Sequence, residues 1–296
     1  MLLVRLYGGF NFLYLFGDMK TKILVCCHKN DIFKSSDVYL PIQVGRAISN
    51  TTLNMQGDNE GINISEKNGS YCELTGMYWA WKNLKDVDYI GLCHYRRYFD
   101  FNHIGRKVFP STTLGTRLFD SLNLEINSNI ESYLERGACV VAKSVHLHTS
   151  LYLQYCEGHY SPDFKVIGDV IRETLSPEYF QGFWKYLVES NKFSPYNMFI
   201  MSWKQFDDYC SWLFPLLGAV EDKLDISHYP PFQKRVYGYL AERLLNLYVR
   251  TNKLKRLELP IIKIADEPEV DNISWARYYI RSLVRDLAIK ATGNSR

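Results

Sequence analysis

Apolar and polar positions along this chain fall into blocks whose length and period separate strands from helices. Residues 22–27 read K-I-L-V-C-C, and polar His28, Lys29, Asn30 and Asp31 follow them. That profile predicts a buried first strand ending in a loop. Residues 87–93 repeat it and open into His94-Tyr95-Arg96-Arg97. Residues 138–142 and 196–202 predict further strands, and 257–264 a short strand or extended segment. Helical spacing lies between them. In 70–84, Leu74, Met77, Tyr78 and Trp81 recur at i, i+3, i+4 and i+7. Helices are also predicted over 126–136, 150–159, 164–175, 177–191, 204–217, 232–251 and 274–291. Residues 39–49 read as a helix or loop-helix. Residues 50–69, rich in Asn, Gly and Ser, read as a loop long enough to be functional.

Strands alternating with helices predict an α/β fold, with a central, mostly parallel sheet flanked by helices and a helical C-terminal portion. No internal repeat or low-complexity linker divides it. Residues 1–18 are apolar but interrupted by Gly8, Gly9 and Asn11, too short for a membrane span and without a small-residue cleavage site. The expected organisation is an N-terminal extension over 1–18, one domain over 19–265 and a C-terminal basic amphipathic helix over 266–296.

Composition narrows the function classes. A net charge of +3 over 296 residues gives no concentrated basic face, so nucleic acid is not the expected partner. Seven cysteines are scattered without a C-x-x-C pair, as in a cytosolic protein with reduced, buried thiols. The 22 tyrosines fit either a sugar-stacking cleft or a tyrosine-rich core. There is no G-x-G-x-x-G after a strand, no P-loop and no G-x-S-x-G elbow. Dinucleotide-dependent hydride transfer, P-loop chemistry and α/β-hydrolase chemistry therefore lack support.

Ligands of open α/β sheets bind beyond the carboxyl ends of the strands. Two predicted ends carry unusual polar residues, His28-Lys29 and His94-Tyr95-Arg96-Arg97. Strand alternation sends Arg96 and Arg97 to opposite sides. A guanidinium fork matches phosphate, which points to a diphosphate ligand, whereas two surface arginines capping a strand are the plainer alternative. Asp86-Val87-Asp88 is a D-x-D pattern that precedes its strand, so it reads as a solvated turn rather than a metal site. His146, His148 and His159 have no carboxylate or cysteine at metal-ligand spacing. Glu73 sits near a helix N-terminus, where the dipole favours it. Glu242 and Arg243 read as a helical ion pair on a solvated face, or Glu242 as a general base if an acceptor hydroxyl lies within reach. Tyr155 and His159, four apart, line a cleft together, or His159 caps its helix.

Several segments together resemble a bacterial domain-of-unknown-function family of capsular and exopolysaccharide biosynthesis proteins, regarded as glycosyltransferases with a variant GT-A-like fold. They are I-L-V-C-C-H-K, N-I-S-E-K-N-G-S-Y-C-E-L-T-G-M-Y-W-A-W-K-N, D-Y-I-G-L-C-H-Y-R-R-Y-F, Q-Y-C-E-G-H, Y-N-M-F-I-M and G-Y-L-A-E-R-L-L, in order from about residue 22 to about 250. The resemblance implies transfer of a sugar, galactose or galactofuranose among the candidates, from a nucleotide diphosphate donor of the uridine type to a growing capsular, exopolysaccharide or O-antigen glycan. A non-catalytic glycan-binding or assembly protein of a polysaccharide locus is the alternative. In GT-A enzymes a metal-binding D-x-D follows the strand that here ends in His94–Arg97. That departure puts a manganese or magnesium requirement in doubt and offers fixed guanidinium charge instead. The resulting assignment gives His28, Lys29, Asn68, Tyr78, Arg97 and Asn197 to the donor, and Tyr155 and His159 to the acceptor. Arg96 and His94 stabilise the leaving diphosphate, and Glu242, with Glu73 as second choice, deprotonates the acceptor.

The last predicted helix carries Arg277, Arg281 and Arg285 beside an apolar side. Such a helix lies on anionic lipid or packs on its own domain. The first would suit a lipid-linked acceptor at the inner face of the cytoplasmic membrane.

Overall fold

The computed structural model describes residues 19–103 and 109–266. The expected N-terminal extension and the basic C-terminal helix lie outside the described residues. The strands are β1 (Thr21–Cys27), β2 (Tyr39–Gln43), β3 (Gln56–Gly57), β4 (Tyr89–His94), β5 (Arg97–Phe99), β6 (Ser111–Gly115), β7 (Cys139–Ala142), β8 (Val145–His146), β9 (Lys192–Phe193), β10 (Phe199–Ser202), β11 (Arg256–Leu259) and β12 (Ile261–Ala265). The helices are α1 (Asn68–Tyr71), α2 (Leu74–Asn83), α3 (Ser128–Glu135), α4 (Leu151–Gly158), α5 (Ser161–Thr174), α6 (Pro177–Phe183), α7 (Trp203–Glu221), α8 (Pro231–Lys234) and α9 (Val236–Thr251).

Among the described residues ten strands form one mixed sheet in the order β11-β7-β10-β4-β1-β2-β3, with β5, β12 and β6 branching from β4. The central strands β4, β1, β2 and β3 run parallel. β10 runs antiparallel to both β4 and β7. Period-two alternation splits β1 between two cores. Leu24 and Cys26 pack under α2, α4, α5, α7 and α9, while Ile23, Val25 and Cys27 pack with α3 and the β5–β12 branch. Both faces are covered, which is why these strands read as continuous apolar runs. Gly91 in β4 is required by this packing: a Cβ there would lie 2.9 Å from the Phe199 carbonyl oxygen of β10.

Three sequence expectations change, the first being that the strand expected over 196–202 begins only at Phe199. Residues 39–49 hold no long helix; β2 runs into a 3₁₀ turn at Arg46–Ile48. Pro41 is incompatible with a helix interior and sits in β2 opposite Val25. The helix expected over 70–84 is broken, because Cys72 adopts φ 53° and separates α1 from α2.

The topology places the site. β1, β2 and β4 all end on one sheet edge, bringing His28, Val44 and His94 together there. Antiparallel β10 enters at that same edge, since Phe199 pairs with Leu92 and Ser202 with Tyr89. The residues leading into it, Tyr196 and Asn197, therefore stand beside the exit of β4. Asp86 and Asp88 lie at the opposite edge, where the Asp88 carboxylate accepts the Lys20 N–H at 3.0 Å.

Candidate active site

A cavity of about 1180 Å3 opens at the carboxyl edge of the parallel strands. Among the described residues its wall carries six basic side chains, Lys67, Arg96, Arg97, Lys234, Arg235 and Lys263, against two acidic ones, Glu66 and Glu73. Four chain segments bring these bases together. Lys67 ends the 3₁₀ turn before α1, and Lys234 and Arg235 occupy the junction of α8 and α9. Arg97 in β5 pairs directly with Lys263 in β12. Such a cavity attracts a polyanion of about nucleotide size by charge and by guanidinium geometry.

The two arginines of the central motif differ in what holds them. Arg96 donates from Nε and Nη2 to the Asp31 carboxylate at 3.0 and 2.8 Å, and from Nη2 to Asp266 at 2.8 Å. Its charge is already answered by two carboxylates. Arg97 has no carboxylate partner among the described residues; its guanidinium lies over the Tyr196 ring at 4.8 Å. Arg97, rather than Arg96, is thus the motif arginine available to an anion.

Glu73 is the half-buried acid of the site. The break at Cys72 swings it to the start of α2, where it makes no capping bond to the helix. Asn197 Nδ2 donates to Glu73 Oε1 at 3.3 Å. Burial raises the Glu73 pKa, and the Asn197 hydrogen bond with the Arg235 and Arg97 charges pulls part of that shift back. A carboxylate held with enhanced proton affinity beside an open cavity is suited to taking a proton.

Around it the backbone is strained. Tyr196 and Asn197 have φ 73° and 55°, two consecutive non-glycine residues in the left-handed region. The turn is held on two sides. Tyr196 N–H donates to Glu242 Oε1 at 2.5 Å, and His94 Nε2–H donates to the Tyr196 carbonyl at 2.8 Å. That bond fixes the His94 tautomer and leaves Nδ1 unprotonated. Burial and the neighbouring Arg97 charge lower the His94 pKa to about 4, so the ring is neutral at physiological pH.

Six of the residues assigned from sequence meet at the cavity: His28, Asn68, Glu73, His94, Arg96 and Arg97. The Asn68 Nδ2 donates to the Cys72 carbonyl at 2.7 Å and Thr75 Oγ1 at 3.0 Å, so it seals the α1–α2 break as well as facing the cavity. The other six are elsewhere. Lys29 pairs with Asp31 at 3.5 Å. Tyr78 points to the opposite side of α2 and packs edge-on against Phe214 of α7. Asn197 is fully buried and reaches Glu73 instead of the cavity. Tyr155 is also fully buried, its hydroxyl donating to Asp163 at 3.1 Å. His159 donates from Nδ1 to Gln233 Oε1 at 3.1 Å, outside the cavity wall. Glu242 spends one oxygen on the Tyr196 N–H and the other on Arg243, at 3.3 Å. Arg243 is not on a solvated face, being 4% exposed. Glu242 thus holds the turn, and Glu73 faces the cavity.

Sequence reading missed Lys67, Lys234, Arg235 and Lys263. The adjacent Lys234-Arg235 after Pro230-Pro231 was the one local signal, a basic pair opening a helix. The residues at the GT-A metal position are cations, and among the described residues no three His, Cys, Asp or Glu side chains group as metal ligands. His146, His148 and His159 do not converge, and His148 pairs instead with Glu157 at 2.9 Å.

A family model described as "Domain of unknown function (DUF4422)" matches residues 22–253. The chain belongs to the DUF4422 family. The match spans every strand and helix of the cavity wall except β12. No curated protein sequence matches the chain. Among solved structures, the DUF4422 chain is similar to the WbbM bifunctional glycosyltransferase in its apo structure, at 29% identity and a TM-score of 0.75. The likeness covers 83% of this chain and 45% of that one, so the chain spans less than half of WbbM's length. The fold is that of a glycosyltransferase-like α/β protein. No helix of the described residues is long and apolar enough to cross a membrane.

Proposed function

We propose that this protein is a glycosyltransferase that moves a sugar from a nucleotide diphosphate donor to a glycan acceptor without a metal ion. The observation that carries the reading is the cavity itself: among the described residues, six basic side chains around the half-buried Glu73 carboxylate, at the sheet edge where α/β folds bind ligands. The likeness to a bifunctional glycosyltransferase supports it.

The donor diphosphate lies against Arg97, Arg235, Lys234 and Lys263. An acceptor hydroxyl oxygen attacks the anomeric carbon as the bond from that carbon to the diphosphate oxygen breaks. The bonding electron pair leaves with the diphosphate, and the acceptor proton passes to Glu73. Negative charge grows on the diphosphate, where preorganised cations stabilise it most. Neutral His94 contributes no charge; it holds the turn that presents Asn197 to Glu73. A uridine diphosphate sugar, galactose or galactofuranose among the candidates, and a lipid-linked acceptor of a capsular, exopolysaccharide or O-antigen glycan complete the reading. It places the protein in the cytoplasm or at the inner membrane face.

The test is a thermal-shift screen of nucleoside diphosphates, each followed by turnover of its sugar derivatives. A rise in Tm with one nucleotide, and release of that nucleotide accelerated by a glycan acceptor, is expected. Binding without any release would convert the reading to a non-catalytic glycan-assembly protein.

A further inference from the structure

We propose that the exposed ring of Phe232 is a saccharide platform, on which one sugar ring of the acceptor glycan stacks beside the mouth of the cavity. This rests on the glycosyltransferase reading and adds an acceptor subsite to it. Phe232 belongs to α8, and its neighbours Pro231 and Lys234 both line the cavity.

A single exposed apolar side chain is ordinary on a protein surface. Phe232 differs in being 57% exposed and yet packed against a ring beneath it. Its ring stacks on His159, with centroids 5.7 Å apart and planes 16° from parallel. His159 stacks in turn on Tyr239, at 4.0 Å and 29°. The backbone beneath is tied as well. Tyr239 Oη donates to the Phe232 carbonyl at 3.0 Å, and Gln233 Nε2 donates to the Gly158 carbonyl at 2.8 Å. The Gln233 amide also accepts from His159, so α4 and α8 are joined under the ring. A ring fixed in advance loses little freedom when a ligand covers it.

The chemistry selects the occupant. An aromatic face attracts the C–H face of a pyranose or furanose, and the sugar hydroxyls stay free for the polar wall at Ser227 and Lys234. Burial lowers the His159 pKa below its ordinary value, so the imidazole beneath Phe232 is neutral at neutral pH, with the Arg235 guanidinium on the Tyr239 ring below it. The platform therefore suits a neutral ring, while the basic cavity beside it takes the diphosphate. The two subsites divide acceptor from donor.

Saturation-transfer NMR tests this on the intact chain with UDP present. The probes are methyl glycosides of disaccharides containing galactose, glucose, mannose, rhamnose or N-acetylglucosamine. Wild type and Phe232→Trp should transfer saturation to sugar C–H protons of at least one probe. Phe232→Ala should bind that probe about tenfold more weakly, with unchanged affinity for UDP. Equal saccharide affinity in Phe232→Ala and wild type, or no transfer from wild type to any probe, would overturn the platform. The UDP arm is independent. A wild type that binds a probe through Phe232 but never binds UDP keeps the platform and removes the nucleotide donor.

Discussion

Glu73→Gln should leave a folded protein that still binds nucleoside diphosphate but transfers sugar about 10²–10⁴-fold more slowly. Glutamine keeps the volume and can still meet Asn197, so the loss isolates the proton-accepting oxygen. In wild type, turnover should rise with pH along a limb lying above the ordinary carboxylate range, because burial holds the Glu73 proton more tightly. The residual rate of the variant should lack that limb. Stability must move the other way. With its folded pKa raised, native Glu73 binds its proton more firmly than the unfolded chain does. Its contribution therefore falls as pH rises from the unfolded value of about 4.5 through the folded one. Neutral glutamine removes that loss, so the variant should match wild type in acid and melt no lower, or slightly higher, at neutral pH. Full activity in Glu73→Gln would exclude it as the base.

Arg97→Ala should cost about 10²–10³-fold in kcat/KM, the effect of removing one preorganised charge from a developing anion. Arg96→Ala, one residue away, should cost much less in catalysis and more in stability. The difference follows from their partners. Arg96 is neutralised by Asp31 and Asp266, and removing it leaves the Asp31 carboxylate, 8% exposed, without its guanidinium. Among the described residues Arg97 has no carboxylate partner and lies over the Tyr196 ring. Steady-state kinetics and urea midpoints on both variants separate the two roles. Arg97→Lys should recover only part of the rate, because an ammonium lacks the fork. Equal catalytic losses in Arg96→Ala and Arg97→Ala would contradict the distinction.

The sheet was legible where burial on both faces produced unbroken apolar runs, as in β1 and β4. It was less legible where strands are short and half-buried. In the branch of β5, β6 and β12 only β12 falls in a segment read from sequence, 257–264, and the branch carries Arg97 and Lys263 into the cavity. Residues 39–49 were misread because a short apolar run fits either period, and Pro41 carries the only clue. Within the site, the motif His94–Arg97 was legible because charged residues closing a buried strand are costly to place. Which arginine stays unpaired was not, since Asp31 and Asp266 lie 65 and 170 residues from Arg96 in sequence. Glu242 was read as a surface ion pair or as the base because helix spacing says nothing of the left-handed turn that its carboxylate holds. Lys67, the adjacent Lys234-Arg235 pair and Lys263 belong to three separate segments, and only the tertiary fold brings them to one cavity.

Titration calorimetry of UDP into chelator-treated protein tests the central claim most directly, that fixed side-chain cations take the place of a metal. Binding should persist in EDTA, change little on adding manganese or magnesium, and weaken as salt screens the cavity. Binding that appears only once manganese or magnesium is restored would contradict the account.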